Sequence, residues 1–302
     1  MRLFDRLCRI TAAAVSVLLL GSCAAPEAVQ QTSSGTSSNI ATEGKSQIYY
    51  FDVGQGDSEF IQLSDGKNIL IDTGTPDCAD QLVRRLKKLG VKKLDAVIGT
   101  HPHADHIGSM AKIIDSFEIG EVYMPRLPES QTPTTVTYTK LLEAISKKGC
   151  RVTQAKAGVE VLKDGSISME MLAPNSESYE EINNYSAVCM LQIGEKRFLF
   201  TGDAQKESEK EMLASNSSLK ADVLKVGHHG SATSTTADFY KAVSPNTAVI
   251  SCGKDNSYGL PKESVLRRFS SGNTEIYRTD TSGTIKASTD GTNIQIEVLP
   301  DF

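Results

Sequence analysis

The chain contains 302 residues, of which 39% are hydrophobic, and carries a formal net charge of −5 at pH 7. This length allows one large domain or two ordinary ones, and the hydrophobic content is sufficient for a buried core. The acidic balance repels phosphate backbones as a whole, which argues against tight sequence-independent binding of nucleic acid but leaves a local basic groove open.

The first 22 residues have the pattern of a secretory signal. Three arginines precede an apolar run over residues 10–20, which is too short to span a bilayer. Leu20-Gly21-Ser22-Cys23 follows this run and resembles the lipobox of bacterial lipoproteins, in which the cysteine is acylated. We therefore predict a lipoprotein signal peptide over 1–22 and an extracytoplasmic protein anchored to the membrane by lipid on Cys23. The alternative is a plain secretory signal and a secreted protein.

Residues 23–46 are rich in Ser, Thr, Gln, Gly and Ala, with almost no bulky apolar side chains. Such a segment cannot bury enough surface to become ordered, so we predict a flexible tether, followed by a folded domain over 47–302. Removal of the signal peptide makes the net charge −7. The domain has four widely spaced cysteines and no C-x-x-C pair, so a cysteine zinc site is not expected.

The domain begins with a predicted strand over 48–51, which ends in the Gly-rich turn Asp52-Val53-Gly54-Gln55-Gly56-Asp57-Ser58. A predicted hairpin over 59–63 and 68–71 leads to Asp72-Thr73-Gly74, and the apolar spacing then predicts a helix over 78–89. An apolar strand over 96–100 follows and leads directly into His101-Pro102-His103-Ala104-Asp105-His106.

This segment holds three of the five histidines in the chain, and the other two are His228 and His229. Imidazole and carboxylate groups are ligands for zinc and its first-row neighbours. Since every histidine lies in one of two clusters, we predict a metal centre rather than a polar surface turn. Predicted elements then follow in this order: a helix over 107–117, a strand over 121–124, a proline-rich loop over 125–133 and a helix over 139–148.

The second half repeats the order of strand, polar turn and helix. Predicted strands over 187–193 and 197–200 end in Thr201-Gly202-Asp203, and a strand over 222–226 ends in the turn that carries His228 and His229. The remaining predicted elements are helices over 205–214 and 237–243 and a strand over 247–251. Polar groups at the carboxyl ends of strands are typical of sites in sheets that pack against helices.

The H-x-H-x-D-H segment, the later T-G-D and the final His-Gly resemble the metallo-β-lactamase superfamily. Its α/β fold is a four-layered αββα sandwich with a dinuclear metal site at one edge. More narrowly, six motifs resemble the soluble hydrolase domain of the competence channel protein ComEC: DVGQGD at 52–57, ILIDTG at 69–74, THPHADHIG at 100–108, FLFTGD at 198–203, DVLKVGHHGS at 222–231 and RTDTSGTI at 278–285.

The resemblance implies two divalent metal ions, zinc or manganese. The implied ligands are His101 and His103 for the first ion, Asp105, His106 and His229 for the second, and Asp203 as a bridge. A helix N-cap is the alternative role for Asp203. His228 could replace His229 as the ligand, because adjacent residues normally face apart; the His-Gly spacing favours His229 and leaves His228 to contact substrate.

Further residues are predicted to lie behind the ligands or to contact substrate: Asp72, Asp57, Asn183, Asn184, Lys225 and Ser231. Asp72 resembles the aspartate that orients the His loop, with a turn aspartate as the alternative. The two asparagines stand where many members of the superfamily have another histidine, which leaves the first site open and rich in oxygen. Lys225 and Ser231 are candidates to hold a phosphoryl oxygen, although Lys225 could instead solvate a strand end. Tyr258-Gly259-Leu260-Pro261 also departs from the family pattern, which has His at the third position.

The resemblance further implies hydrolysis of phosphodiester bonds by a metal-bound hydroxide, with Asp105 as proton acceptor and His228 as the second catalytic residue. The substrate would be DNA, for an extracellular nuclease, or a small choline-type ester. Two alternatives remain open: hydrolysis of another ester, amide or lactam at the same site, and a tethered binding lipoprotein with a vestigial site. No protein partner is inferred.

Overall fold

The computed structural model describes residues 44–215, 217–300 and 302. The predicted signal peptide, Cys23 and the tether as far as residue 43 lie outside the described residues. The first strand begins at Ser46, one residue before the predicted start of the folded domain. None of the described helices has the length and apolar character needed to cross a membrane.

Eight strands form the first sheet, in the order β15-β14-β1-β2-β3-β4-β5-β6. The run from β3 to β6 is parallel, and the other pairs are antiparallel. The strands are β1 (Ser46–Tyr50), β2 (Glu59–Gln62), β3 (Asn68–Ile71), β4 (Lys93–Ile98), β5 (Glu118–Met124), β6 (Arg151–Gln154), β14 (Thr284–Thr289) and β15 (Ile294–Leu299).

Seven strands form the second sheet, in the order β13-β12-β11-β10-β9-β8-β7. The run from β10 to β13 is parallel, and the remaining pairs are antiparallel. The strands are β7 (Glu160–Asp164), β8 (Ile167–Ala173), β9 (Val188–Ile193), β10 (Lys196–Phe200), β11 (Val223–Lys225), β12 (Thr247–Ile250) and β13 (Glu275–Arg278).

The described helices connect these strands. They are α1 (Ala79–Lys88), α2 (Ala104–Ile107), α3 (Met110–Ser116), α4 (Val136–Lys148), α5 (Lys206–Ala214), α6 (Ala237–Val243), α7 (Glu263–Ser271) and α8 (Thr279–Ser282). Short 3₁₀ turns occur at Pro76–Cys78, Glu129–Gln131, Ile182–Tyr185 and Gly227–Gly230.

Three apolar layers separate the helices and sheets. Alternate residues of a strand face opposite sides of its sheet: Tyr49 packs outward with Leu82 of α1, whereas Tyr50 packs inward with Phe200 of the second sheet. The outer face of the second sheet packs on α5, α6 and α7 through residues such as Phe239. Three apolar layers require four layers of secondary structure, so the predicted αββα sandwich is confirmed.

Candidate metal centre

Three loops at one edge of the sandwich carry the predicted ligands. The 101–106 segment follows β4 of the first sheet, whereas Asp203 follows β10 and the 227–230 turn follows β11 of the second. Each of these strands lies in a parallel run of its sheet. The carboxyl ends of such strands provide the loops that form sites in α/β folds, and here the loops of the two sheets meet.

Four of the predicted ligands converge. One ligand atom each from Asp105, His106, Asp203 and His229 lies within 4.8 Å of the others. Asp203 Oδ2 is 3.3 Å from His106 Nε2 and 3.6 Å from His229 Nε2. Asp105 Oδ2 is 3.3 Å from the same nitrogen of His229. The structure therefore gathers the residues implied for the second ion, together with the implied bridge.

Buried atoms of this cluster lack hydrogen-bond partners among the described residues: His106 Nε2, His229 Nε2 and Asp203 Oδ1. A buried polar atom without a partner is costly, so several side by side require an explanation. Two imidazoles and two carboxylates form a suitable donor set for a divalent first-row metal ion. The orphaned atoms and the donor set together fit a metal ion at this position.

His101 and His103 lie beside this cluster but do not surround a common point. His101 is buried, and its Nε2 is 2.9 Å from Nδ1 of the exposed His103. The same His101 nitrogen is 3.9 Å from Asp203 Oδ2. The residues implied for the first ion therefore lie next to Asp203, with their two rings in contact with each other.

Asp72 lies behind His106. Its Oδ2 is 2.7 Å from His106 Nδ1, which directs Nε2 of the ring toward Asp203. Both Asp72 oxygens are held by Thr100, through the backbone N–H at 2.8 Å and the hydroxyl at 2.6 Å. Asp72 itself has a left-handed φ of 52°. Carboxylates in this position fix the tautomer and the orientation of a metal-binding histidine.

A buried ion pair lies behind His229. Lys225 Nζ donates to Asp57 Oδ2 at 2.6 Å and to the Val226 carbonyl at 3.0 Å, and both charged side chains are almost fully buried. Asp57 Oδ1 is 3.2 Å from His229 Nδ1, which is also 2.9 Å from the Ser251 carbonyl oxygen. Lys225 thus lies behind a predicted ligand, one of the two positions expected of it, and its buried ammonium group is neither solvated nor open to a substrate. Its side chain points between the sheets because it shares a strand face with Val223, a residue of the layer between the sheets.

The turn after β11 separates its two histidines. His228 and His229 have φ angles of 50° and 52°, which are rare for residues other than glycine and often mark functional sites. His229 is buried in the cluster, whereas His228 has a quarter of its side chain exposed. His228 thus lies at the solvent-facing opening of the cluster, which we call its mouth. His228 Nε2 is 3.7 Å from Asp203 Oδ2 and 3.3 Å from Asn183 Nδ2. The arrangement favours His229 as the ligand and leaves His228 facing the opening.

Of the remaining candidates, Asn183 lies at the mouth of the cluster, whereas Ser231 and Asn184 form hydrogen bonds within the surrounding scaffold. Asn183 contacts His228, and its Oδ1 is buried without a hydrogen-bond partner in the described chain. Ser231 Oγ is 3.0 Å from the Thr233 hydroxyl, within its own loop. Asn184 lies away from the centre: its Oδ1 accepts from the backbone N–H groups of residues 205 and 208 at the start of α5. It acts as a helix cap from another segment, so the structure places this predicted site residue in the scaffold rather than beside the predicted ligands.

Two hydroxyl residues next to the ligands were not predicted. Ser186 Oγ accepts from the Asp203 N–H at 3.1 Å and lies 3.4 Å from His101 Nδ1. The Thr100 hydroxyl is 3.1 Å from the same ring nitrogen. Thr100 could have been found from its place between a buried strand and His101, whereas only the fold brings Ser186 to this site.

The electrostatics of the cluster favour a bound cation. Burial acts to lower the pKa of His229, but Asp203 and Asp57 outweigh it and raise this pKa to about 10. Burial also acts to lower the pKa of His106, but Asp203 and Asp72 outweigh it and raise this pKa well above its usual value. The carboxylates thus retain protons on the two imidazoles in the absence of another positive charge. A divalent ion can take the place of those protons.

An αββα sandwich with a buried His/Asp cluster at the edge where its sheets meet defines a metallohydrolase fold. The family model described as "Metallo-beta-lactamase superfamily" matches residues 51–254, and the chain belongs to this family.

Within that superfamily the domain is ComEC-like, as the sequence motifs predicted. It is 33% identical over 264 residues to ComE operon protein 3 of Bacillus subtilis (strain 168), covering 82% of this chain and 33% of the relative. It is 30% identical over 246 residues to the competence protein ComA of Neisseria gonorrhoeae, covering 81% and 32%. The chain thus spans about a third of the length of these curated relatives.

A solved structure supports the fold. CmlA of Streptomyces venezuelae, a diiron β-hydroxylase, superposes with a TM-score of 0.53 at 14% sequence identity, over 84% of this chain and 54% of that one. At this level of identity the likeness shows the fold alone.

Proposed function

We propose that this domain hydrolyses phosphodiester bonds with two divalent metal ions held at the sheet edge. The observation that carries the proposal is the position of Asp203. Its Oδ2 lies 3.3 to 3.9 Å from a ring nitrogen of four histidines: His106, His229, His228 and His101. These imidazoles come from both sheets, so one carboxylate oxygen is central to the whole set, as a bridging ligand would be.

Two bound divalent ions would supply Lewis-acid activation of water and of the phosphoryl oxygens in an in-line displacement. The chain itself would provide the proton acceptor. Asp105 is one-third exposed, so its ionised carboxylate is open to the mouth and able to take a proton from the attacking water.

His228 would contact the substrate. Burial lowers the pKa of this imidazole, so at neutral pH it is uncharged and has one donor and one acceptor nitrogen. Nδ1 is 3.0 Å from the Thr233 hydroxyl, and Nε2 faces the region between Asn183 and Asp203. A phosphoryl oxygen or a leaving group at the mouth could share a hydrogen bond with Nε2.

The relatives favour a phosphodiester over other substrates. One is named a competence protein, and competence is the uptake of DNA. Because the chain corresponds to a third of that relative, only the chemical class of substrate is carried over here. The orphaned ligand atoms argue against a vestigial site, since a site that had lost its metal would be expected to lose this costly arrangement too.

Zinc and manganese are both compatible with the donor set. The four-residue cluster has as many carboxylates as imidazoles, and oxygen ligands suit manganese better than they suit zinc. We also propose that lipid on Cys23 anchors the domain outside the cytoplasmic membrane.

A substrate panel tests the function. The purified domain 47–302 is loaded with zinc or manganese and offered bis-p-nitrophenyl phosphate, single-stranded DNA, a phosphorylcholine ester and a β-lactam. We expect turnover of at least one phosphodiester and about two ions per chain by elemental analysis. Turnover of the β-lactam alone, or a protein that holds no metal after reconstitution, would overturn the proposal.

Variants of adjacent residues separate the roles. Asp105→Asn removes the basic oxygen and should slow hydrolysis by roughly 10²–10⁴-fold. His229→Ala should act by loss of an ion, with partial recovery in excess metal, whereas His228→Ala should raise KM or slow turnover at unchanged metal content. Asp203→Ala should hold about one ion or none. Metal loss in His228→Ala with retention in His229→Ala would reverse the assignment of the pair.

A further inference from the structure

Tyr258 is the single exposed phenylalanine or tyrosine among the described residues, with 67% of its surface accessible. Isolated apolar side chains on a surface are common and need no explanation by themselves. The position and the support of this ring are what set it apart.

The loop that presents Tyr258, residues 253–262, is held by its own hydrogen bonds. The Asn256 side chain donates to the carbonyls of Gly253 at 2.9 Å and Leu260 at 2.7 Å, and accepts from the Leu260 N–H at 3.0 Å. Lys262 Nζ donates to the Tyr258 carbonyl at 2.8 Å. A ring on a fixed backbone loses little entropy when a ligand stacks on it.

This loop packs on the turn that carries His229. The Lys262 N–H donates to the Gly230 carbonyl at 2.9 Å, and a β-carbon at Gly230 would lie 2.5 Å from Pro261 Cβ. Tyr258 precedes Pro261 by three residues, so their Cα atoms are at most roughly 11 Å apart. The loop backbone is therefore fixed next to the His229 turn, which would allow the ring to reach a group that adjoins a phosphodiester bound at the cluster.

The charges around the ring suit an anionic chain that carries bases. Lys254 and Lys262 flank Tyr258 in the sequence and are exposed, Asp255 is the one carboxylate of the loop, and Lys254 also lines a pocket with Asp52 and Asp280. Cations beside an aromatic platform are the usual means of holding single-stranded nucleic acid. A quaternary ammonium group also favours aromatic faces, but it prefers a cage of several rings, and the two lysines would repel it.

We propose that Tyr258 is the specificity residue of this site: its ring stacks on the base next to a phosphodiester bound at the His/Asp cluster. The inference rests on the proposed function and adds that the substrate is recognised through a nucleobase. Lys254 would contact a neighbouring phosphate. Because the ring touches the substrate away from the bond that breaks, its role is in binding rather than in chemistry.

The test is a binding measurement on the metal-loaded domain. A labelled phosphorothioate oligothymidylate, which resists hydrolysis, is titrated by fluorescence anisotropy against wild type, Tyr258→Ala and Tyr258→Phe. An abasic oligonucleotide of equal length is the matched ligand. We expect Tyr258→Ala to weaken binding of the oligothymidylate by roughly 5- to 150-fold, the range for one stacked base, and Tyr258→Phe to keep wild-type affinity. The abasic ligand should bind all three proteins equally.

The salt dependence of binding tests the lysine. Removing one phosphate contact to a single strand should lower the slope of log affinity against log salt by about 0.7. Lys254→Ala should show this change, and the control Lys163→Ala, an exposed lysine on the edge strand β7, should not. Equal slopes for both variants would overturn the assignment of this loop to a phosphate contact.

The outcomes separate this inference from the proposed function. Hydrolysis of bis-p-nitrophenyl phosphate together with unchanged oligothymidylate binding by Tyr258→Ala would overturn the inference and keep the function. Tyrosine-dependent binding by a protein that hydrolyses no phosphodiester would keep the inference about Tyr258 and overturn the proposed function. No binding by wild type, equal losses on both oligonucleotides, or a Tyr258→Ala defect confined to the phosphorylcholine ester would each overturn the inference.

Discussion

Asp72 and His106 share a hydrogen bond of 2.7 Å between a carboxylate oxygen and Nδ1, and neither side chain is exposed to solvent. The carboxylate is held in turn by two hydrogen bonds from Thr100. The imidazole therefore has one fixed orientation, with Nε2 directed at Asp203.

Asp72→Asn should weaken metal binding about 10- to 100-fold, because the neutral amide no longer fixes the ring by a charged hydrogen bond. Asparagine tolerates the left-handed backbone at this position, so the fold should persist. Calorimetric titration of the metal-free protein measures the change, and Asp77→Asn, an exposed acid nearby, is the control. Equal affinities for the two variants would show that Asp72 does not support the ligand.

Metal binding should release protons. With a pKa of about 10 for His229 and a raised pKa for His106, both imidazoles are charged at pH 7 in the metal-free protein. Ligation requires the neutral ring, so metal affinity should increase as the pH rises from 7 toward 10. Calorimetry in two buffers of different ionisation enthalpy counts the protons, and His229→Ala should release fewer. Absence of a buffer dependence would contradict the expectation.

The same raised pKa values predict how the stability of the metal-free protein depends on pH. A raised folded-state pKa gives stability that is complete below the ordinary histidine value of 6.5 and is lost as the pH rises through about 10. Urea midpoints should therefore fall between pH 7 and pH 10 without metal. Bound metal should reduce this fall, and an identical fall in both forms would argue against ligation by these histidines.

Lys225→Met should destabilise the metal-free protein by about 3–5 kcal/mol, because it leaves Oδ2 of the buried Asp57 carboxylate without its lysine partner, with only His229 beside Oδ1. Removing both charges in Lys225→Met/Asp57→Leu should restore part of that loss. Lys163→Met, at an exposed position, should change the free energy of unfolding by less than about 0.5 kcal/mol. Urea unfolding measures all three variants, and a small effect of Lys225→Met would show that Asp57 is protonated or hydrated instead.

Lipid anchoring makes a separate prediction. Labelled palmitate should enter the full-length chain and not Cys23→Ala, since the predicted acylation site is that cysteine. The variant should also appear in the medium rather than with the membrane. If neither protein is labelled and both are released equally, the plain secretory signal is correct.

The αββα layers were predicted through the family resemblance, whereas local patterns located the ligand segments, because runs such as 96–100 and 101–106 combine a buried strand with chemically distinctive side chains. Contacts between distant segments were less predictable. Lys225 looked like a polar strand end, and only the opposite sheet supplies the Asp57 that explains its burial. Asn184 likewise caps a helix that begins 22 residues later.

The helix predicted over 107–117 corresponds to α3, and the shorter α2 precedes it, with Gly108 and Ser109 between the two. A β-carbon at Gly108 would lie 2.3 Å from the Ala104 carbonyl oxygen and 2.5 Å from the Pro76 nitrogen, so close packing allows only glycine at this position. The helix α7 and the strands β13 to β15 were not predicted, and β14 finds its partner β1 only at the other end of the domain.

The ligands come from two sheets that meet across the inner apolar layer. Neither half of the chain contains the complete set of predicted ligands. Tight binding of an ion therefore requires that both halves have folded and packed against each other in the correct register. Copies that fold only in part would lack the complete set of predicted ligands. Substitutions in the inner layer, at Phe198 for example, should then change metal affinity without touching a ligand.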